Sequence, residues 1–252
     1  MAYYLTLLIF IVTYVLLALG RIPGLKTDRA GIALLGAAAL LATGMLSFDQ
    51  AFSASVMDYK TLTLLFGLMI VVGAVRLGGL FARAQRLLWV ASSPHALLAG
   101  VLVLAGVLSA FLVNDIICVA LTPLILAECR RRGYDPLPHL LGLATGSNIG
   151  SAGSITGNPQ NMYIGANSGI DYLRFLLKLG PPAILSLGVA FLLLSWLHRE
   201  RLRRRTATSL EIQPLESPPL AKGPLILATL AVVGFFVVPS SGLPVVALVA
   251  AA

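Results

Sequence analysis

The sequence predicts an all-α integral membrane protein whose apolar segments come apart at two polar places. Three observations carry this. Hydrophobic residues make up 58% of the chain and charged residues 11%, with a mean hydropathy of +0.92; about a quarter of a soluble domain is charged. Several apolar runs approach the ~20 residues that cross a bilayer core. They lack the alternation of barrel strands, so the spans are helical. Finally, polar residues interrupt two of these runs, at Asn114-Asp115 and across "SNIGSAGSITGNPQN", residues 147–161.

The elements follow in order. Ala2–Gly20 is a first transmembrane helix rather than a signal peptide, because it lacks a basic start and an A-x-A cleavage site. Arg21, Lys26 and Arg29 follow it. Ala30–Leu46 is a second apolar run and Thr61–Val75 a third, separated by a 47–60 loop expected outside the membrane. Residues 76–90 read as an amphipathic helix at the cytoplasmic interface, the alternative being a polar-faced extension of the third helix. Leu77, Leu80, Phe81, Ala84 and Leu88 lie on one side and Arg76, Arg83 and Arg86 on the other, with Trp89 as an anchor. The apolar stretch 95–127 ends at Arg130, Arg131 and Arg132. It is too short for two ordinary full crossings, so it reads as a re-entrant hairpin with its tip at Asn114-Asp115, the alternative being a tight pair of short crossings.

From Leu137 the chain leaves the cytoplasm again through the second break. It reaches an external "NSGIDYLRFLLK", and Pro181–Leu197 brings it back to "HRERLRRR" with Trp196 at the boundary. Residues 198–222 are a basic linker, and 223–252 start another helical pair. The net charge of +8 argues for membrane topology and against nucleic acid. Nearly all the cations cluster between apolar runs on one inferred side, the inside. Cys118 and Cys129 suggest no disulfide framework.

Irregular backbone at membrane depth survives only when buried in protein or lining an aqueous cavity. Pro159 removes a donor and disfavours helix at Asn158. Gly150, Gly153 and Gly157 permit conformations and close approaches that other residues resist. The freed carbonyls and the Ser, Thr and Asn oxygens are hard ligands suited to Na⁺, and helix N-termini offer N–H groups to an anion. Broken helices meeting near midplane point to a transporter site. Asp115 is costly at membrane depth, which marks it as an ion ligand or proton carrier, or else as a cap of the following helix. A helix-packing face of small residues accounts for the glycines and serines of 147–157 but not for Asn158-Pro159-Gln160-Asn161. An intramembrane hydrolase built on Ser151 or Ser154 lacks a base, because His95, His139 and His198 all fall at inferred cytoplasmic boundaries.

"FLVNDIICVALTPLIL" (111–126) and "ATGSNIGSAGSITGNPQNM" (144–162) resemble the hairpin and the unwound helix of the ion transporter superfamily. That superfamily holds citrate and divalent-anion permeases, arsenite efflux permeases and sodium–proton antiporter permeases. The resemblance implies an inverted-repeat secondary transporter, usually dimeric, of which this chain holds a first repeat (1–197) and the start of a second, an apparent truncation. It implies that Asn114 and Asp115 are tip ligands. Ser147, Asn148, Thr156, Gly157, Asn158 and Asn161 would belong to the facing loop, with Na⁺ at Asn114, Asp115, Gly157 and Asn158.

The Val-Asn-Asp tip departs from the Ser-Asn-Thr of dicarboxylate carriers and is nearest the arsenite-type branch. The expected function is therefore non-enzymatic, a multi-pass permease of the inner (cytoplasmic) membrane. It would move a small anion or oxyanion coupled to Na⁺ or H⁺, with no other cofactor. The alternatives are sodium–proton antiport or arsenite-type efflux on the same scaffold, or a non-transporting membrane subunit or truncated gene product.

Overall fold

A computed structural model describes residues 2–22, 24, 25, 27–53, 58–88, 91–204, 222–239 and 242–251. Among these residues the chain is all helical, with no strand. It divides into two compact units, residues 1–59 and 60–252.

The first unit holds α1 (Ala2–Leu19), α2 (Arg29–Ala42) and the short α3 (Phe48–Ala51). Asp28 caps α2 by accepting from the Gly31 N–H at 2.8 Å. Helices α1 and α2 pack with Thr13 seated on Gly36, where a Cβ would lie 2.5 Å from the Thr13 hydroxyl. Ser47 and Gln50 form a reciprocal capping box at the start of α3.

The second unit begins with α4 (Tyr59–Leu77) and α5 (Leu80–Leu88). The amphipathic segment expected over 76–90 is shorter, because Gly78 and Gly79 end α4 in a turn. Gly79 takes a φ of +77°, so Arg76 and Leu77 belong to the preceding helix. Phe81 and Leu88 are buried on the core side of α5. The anchor expected at Trp89 lies outside the described residues.

Next come α6 (Pro94–Phe111) and α7 (Asn114–Arg132), joined by only Leu112 and Val113. Then follow α8 (Pro136–Ala152), α9 (Pro159–Ser168) and α10 (Tyr172–Leu197). Ser93, Asp135 and Asn158 cap α6, α8 and α9, each immediately before a proline at the first helical position. Helix α10 starts at Tyr172 rather than at Pro181. Arg174 and Lys178, expected in an external loop, ride on its first two turns, and the helix continues through Pro181 and Pro182. The short α11 (Arg199–Arg203), α12 (Lys222–Val237) and α13 (Leu243–Ala251) complete the unit. Gly67 of α4 lies against the backbone of Ala247 in α13, and Phe235 of α12 stacks on Tyr172 of α10 at 5.8 Å.

Helices α4, α6 and α10 are long and apolar enough to cross a membrane. Helix α6, expected as one short arm of a hairpin, thus has the length of a full span.

One end of this unit is fastened by polar side chains. Glu128 is buried and receives Arg131 (2.6 Å) and Arg132. Arg132 also donates to the carbonyls of Leu88 (3.0 Å) and Ala91, strapping the α5–α6 connection to the end of α7. His139 is wholly buried, its ring nitrogens 3.0 and 3.1 Å from the carbonyls of Asp135 and Pro94. Arg201 of α11 meets Asp135 at 3.0 Å.

A buried carboxylate stripped of a partner, or an arginine stripped of its carboxylate, is strongly destabilising. Glu128→Ala is expected to cost about 3 kcal/mol, read as a lowered melting temperature of the purified protein in detergent. Glu128→Gln, which keeps an acceptor, is expected to lose less. At Asp135, burial pushes the carboxyl up, but the Leu137 N–H and the Arg201 guanidinium outweigh it and hold the group below the usual carboxylate range. A lowered carboxyl stabilises the fold above its unfolded pKa of about 3.9, and that contribution is lost as pH falls through the lowered value. Asp135→Asn keeps the cap and removes the ion pair. It should therefore melt below the parent at neutral pH, and the gap should close at pH values below about 4.

Candidate functional site

The site grows from the way α8 lies on α6. Gly142, Gly146 and Gly150 recur every four residues along α8 and form a flat stripe. A Cβ on Gly142 would lie 2.6 Å from Leu98, and one on Gly146 would lie 2.8 Å from the Leu102 carbonyl. One on Gly150 would overlap the backbone of Gly106. The two helices touch backbone to backbone, as small residues allow in membrane proteins. The small-residue packing face suggested by the sequence is therefore present, and it coexists with the break. None of Gly150, Gly153 and Gly157 has a positive φ. Gly150 and Gly157 serve close approach: a Cβ on Gly157 would strike the backbone of Ser151.

This contact brings the end of the α6–α7 hairpin to the end of α8. Ser109 of α6 donates to the Ser147 carbonyl at 2.8 Å. Ser147 in turn donates to the Asn114 carbonyl at 2.9 Å. The Asn114 N–H, at the start of α7, reaches the Gly157 carbonyl at 3.1 Å. Its side-chain amide donates to Asn148 Oδ1, also at 3.1 Å. Asn148 Nδ2 is committed to the Ala144 carbonyl at 2.9 Å, so its oxygen must face Asn114. One asparagine thus ties three segments together.

The break itself is narrower than the 147–161 stretch. Helix α8 continues through Ser147 to Ala152, and only Gly153–Asn158 is non-helical before α9 resumes at Pro159. Its polar groups are nearly all paired. Ser154 donates to the Ala110 carbonyl. Thr156, wholly buried, lies 2.8 Å from the Tyr172 hydroxyl and 3.5 Å from the Ala110 carbonyl. Asn158 accepts from the Asn161 N–H at 2.8 Å and donates to the Ser151 carbonyl at 3.2 Å. Asn161 Nδ2 stands over the carbonyls of Ser151, Ala152 and Ser154 at 3.2, 3.2 and 2.8 Å, satisfying the carbonyl end of α8.

The structure therefore brings Asn114, Ser147, Asn148 and Gly157 into direct contact, with Thr156, Asn158 and Asn161 holding the loop behind them. Asp115 is exposed on the first turn of α7. It does not cap that helix, because Val113 occupies the cap position without a side-chain bond. Asn114 Oδ1 is buried with no hydrogen-bond partner among the described residues. Tyr172 is the participant that sequence reasoning missed. Its sequence neighbourhood reads as a loop, but α10 starts at Tyr172, and this places its hydroxyl 2.8 Å from Thr156. Ser151 donates to the Asn148 carbonyl at 2.8 Å and Ser154 to Ala110, while His139 is tied to carbonyls at the other end of α8. The two serines and the histidine do not form a nucleophile–base pair.

A family model described as citrate transporter matches residues 8–252. The chain belongs to the citrate transporter family. Among curated relatives, the silicon efflux transporter LSI3 of Oryza sativa subsp. japonica is 36% identical over 186 residues, which cover 73% of this chain and 38% of the relative. The arsB protein of Dictyostelium discoideum is 28% identical over 176 residues, covering 68% and 31%. The P protein of Homo sapiens is 32% identical over 189 residues, covering 69% and 22%. The chain thus spans well under half the length of these relatives. It is a membrane protein of a transporter family, and the family match takes in both the hairpin and the broken helix.

Overpacking a tight contact costs typically 1–3 kcal/mol. Gly150→Ala is expected to lower the melting temperature by driving α8 off α6. Gly188→Ala on α10, where a Cβ meets nothing within 4 Å, is the control, and it should hold or slightly raise stability.

Proposed function

We propose that the chain forms the first repeat of a secondary active permease that moves a small anion or oxyanion, coupled to Na⁺ or H⁺, across the inner (cytoplasmic) membrane. One observation supports this most directly. Asn114 locks the hairpin turn to the broken-helix loop while its own Oδ1 stays buried and unpartnered. A buried acceptor without a donor is costly, and a cation or a protonated solute at that point would relieve the cost. Na⁺ is cargo in this reading. Asn114 Oδ1 and the nearby exposed Asp115 carboxylate are the oxygens that suit it. The Gly157 carbonyl and the Asn158 side chain, also expected to bind it, already accept bonds that hold the loop. The start of α7 adds the positive end of a helix dipole, which favours an anion beside the cation.

Sodium–proton antiport or arsenite-type efflux is the second reading, favoured by the Val-Asn-Asp turn. The silicon efflux relative also points to small hydroxylated solutes. A re-entrant placement of the hairpin, a second repeat of opposite orientation beginning near Gly223 and a homodimeric assembly belong to the same proposal. No step in it is enzymatic.

The test is flux in proteoliposomes under an imposed pH or Na⁺ gradient, with arsenite, silicic acid and citrate offered separately. Asp115→Asn is expected to abolish pH-driven flux at unchanged protein level, and Asn114→Ala to abolish flux under either gradient. Undiminished pH-driven flux in Asp115→Asn would remove that residue from the coupling role. No flux of any solute by the parent chain would favour a non-transporting membrane subunit.

A further inference from the structure

At the far end of α10 from Tyr172, the chain turns at His198 into α11. Leu202 of α11 is 3% exposed and packs with Leu98, Leu102 and Ala190, which fixes the segment against the body of the unit. Its charged residues are left outside. Arg199, Arg203 and Arg204 are exposed and have no ion-pair partner among the described residues, whereas Arg201 is committed to Asp135. Just before the turn, Trp196 and Leu197 are 66% and 61% exposed. Trp196, Leu197, His198, Arg199, Glu200 and Arg201 line a cleft of about 330 Å³, a volume within the range of small-molecule sites.

We infer that this cleft holds the headgroup of an anionic phospholipid. Its lining mixes two chemistries: an exposed indole and leucine, and guanidinium and imidazole groups beside the Glu200 carboxylate. A ligand that satisfies both carries negative charge next to hydrocarbon. Glu200 lines the cleft beside Arg199, and Arg203 and Arg204 follow on the same short segment, so the exposed charge around the cleft is net positive and attracts anions.

Position supports the same occupant. Helix α10 is an apolar span of 26 residues, and only 6% of its apolar window is buried within the chain. Its end must lie where a bilayer passes from tails to headgroups, the depth favoured by tryptophan. Basic side chains immediately beyond a span attract anionic lipid, each by roughly fivefold in affinity. Arginine forks also suit a phosphodiester in a way that a single point charge does not. The inference rests on α10 crossing a membrane and not on transport.

The test uses the whole chain carrying Trp89→Phe, which leaves Trp196 as the sole tryptophan. The protein is placed in vesicles containing either phosphatidylglycerol or phosphatidylcholine with brominated acyl chains, each over the same series of mole fractions. Brominated phosphatidylglycerol is expected to quench Trp196 at roughly tenfold lower mole fraction than the zwitterionic lipid, with the preference shrinking at high salt. Arg199→Gln with Arg203→Gln and Arg204→Gln should bring the two lipids to parity. The matching triple lysine variant should keep most of the preference, so that loss of charge is distinguished from loss of fold. Equal quenching in the parent, or a preference that survives the glutamine variant, would overturn the inference. So would quenching by neither lipid, which would show a protein partner over this face. Relief of the quench by inorganic phosphate would assign the cleft to a soluble anion instead.

Discussion

Everything near the break depends on a rule of solvation: a peptide group removed from water must find a partner inside the protein. Two interruptions in apolar helices release many such groups at once, and this chain pairs them against each other. The first N–H of α7 goes to the loop after α8, and a serine of α8 goes to the first carbonyl of α7. The last carbonyls of α8 are collected by the side-chain amide of Asn161. Each interruption is the other's solvent. The exchange leaves over one buried polar oxygen, that of the Asn114 side chain, without a partner among the described residues.

The opposite end of the same unit is held in another way. There the helix ends are charged, and long side chains bridge segments that are distant in sequence. Arg132 reaches carbonyls at and just beyond the end of α5, His139 spans from α8 to the start of α6, and Arg201 returns from α11 to Asp135. These links close the base of the α6–α8 layer, while the hydroxyl and amide network closes its other end. The apolar core between them can then be made largely of Leu, Val and Ala without losing register.

Much of this was readable in the sequence where polarity contrasts with its surroundings. Asn114-Asp115 and Asn158-Pro159 stand out in apolar runs, and each marks a helix start. Glycine, serine and asparagine are poor helix formers, so the extension of α8 through Ser147–Ala152 was not legible. Packing on α6 overrides propensity there. The early start of α10 was hidden because Arg174, Lys178 and the Pro181-Pro182 pair read as a loop, and the role of Tyr172 was hidden with it. The base links could not be seen at all, since they join residues 41 to 66 positions apart through side-chain reach rather than pattern.

The glycine stripe on α8 has one more consequence. With Gly146 and Gly150 pressed on the backbone of Leu102 and Gly106, no side chains separate the two helices, and no gap remains for water along that line. The contact is a seal. The polar groups lie elsewhere: Asn148 on α8, which accepts from Asn114, is exposed, and so is Asp115 on the first turn of α7. The α6–α8 seam is a closed wall beside those groups, with no room for a side chain at Gly146 or Gly150.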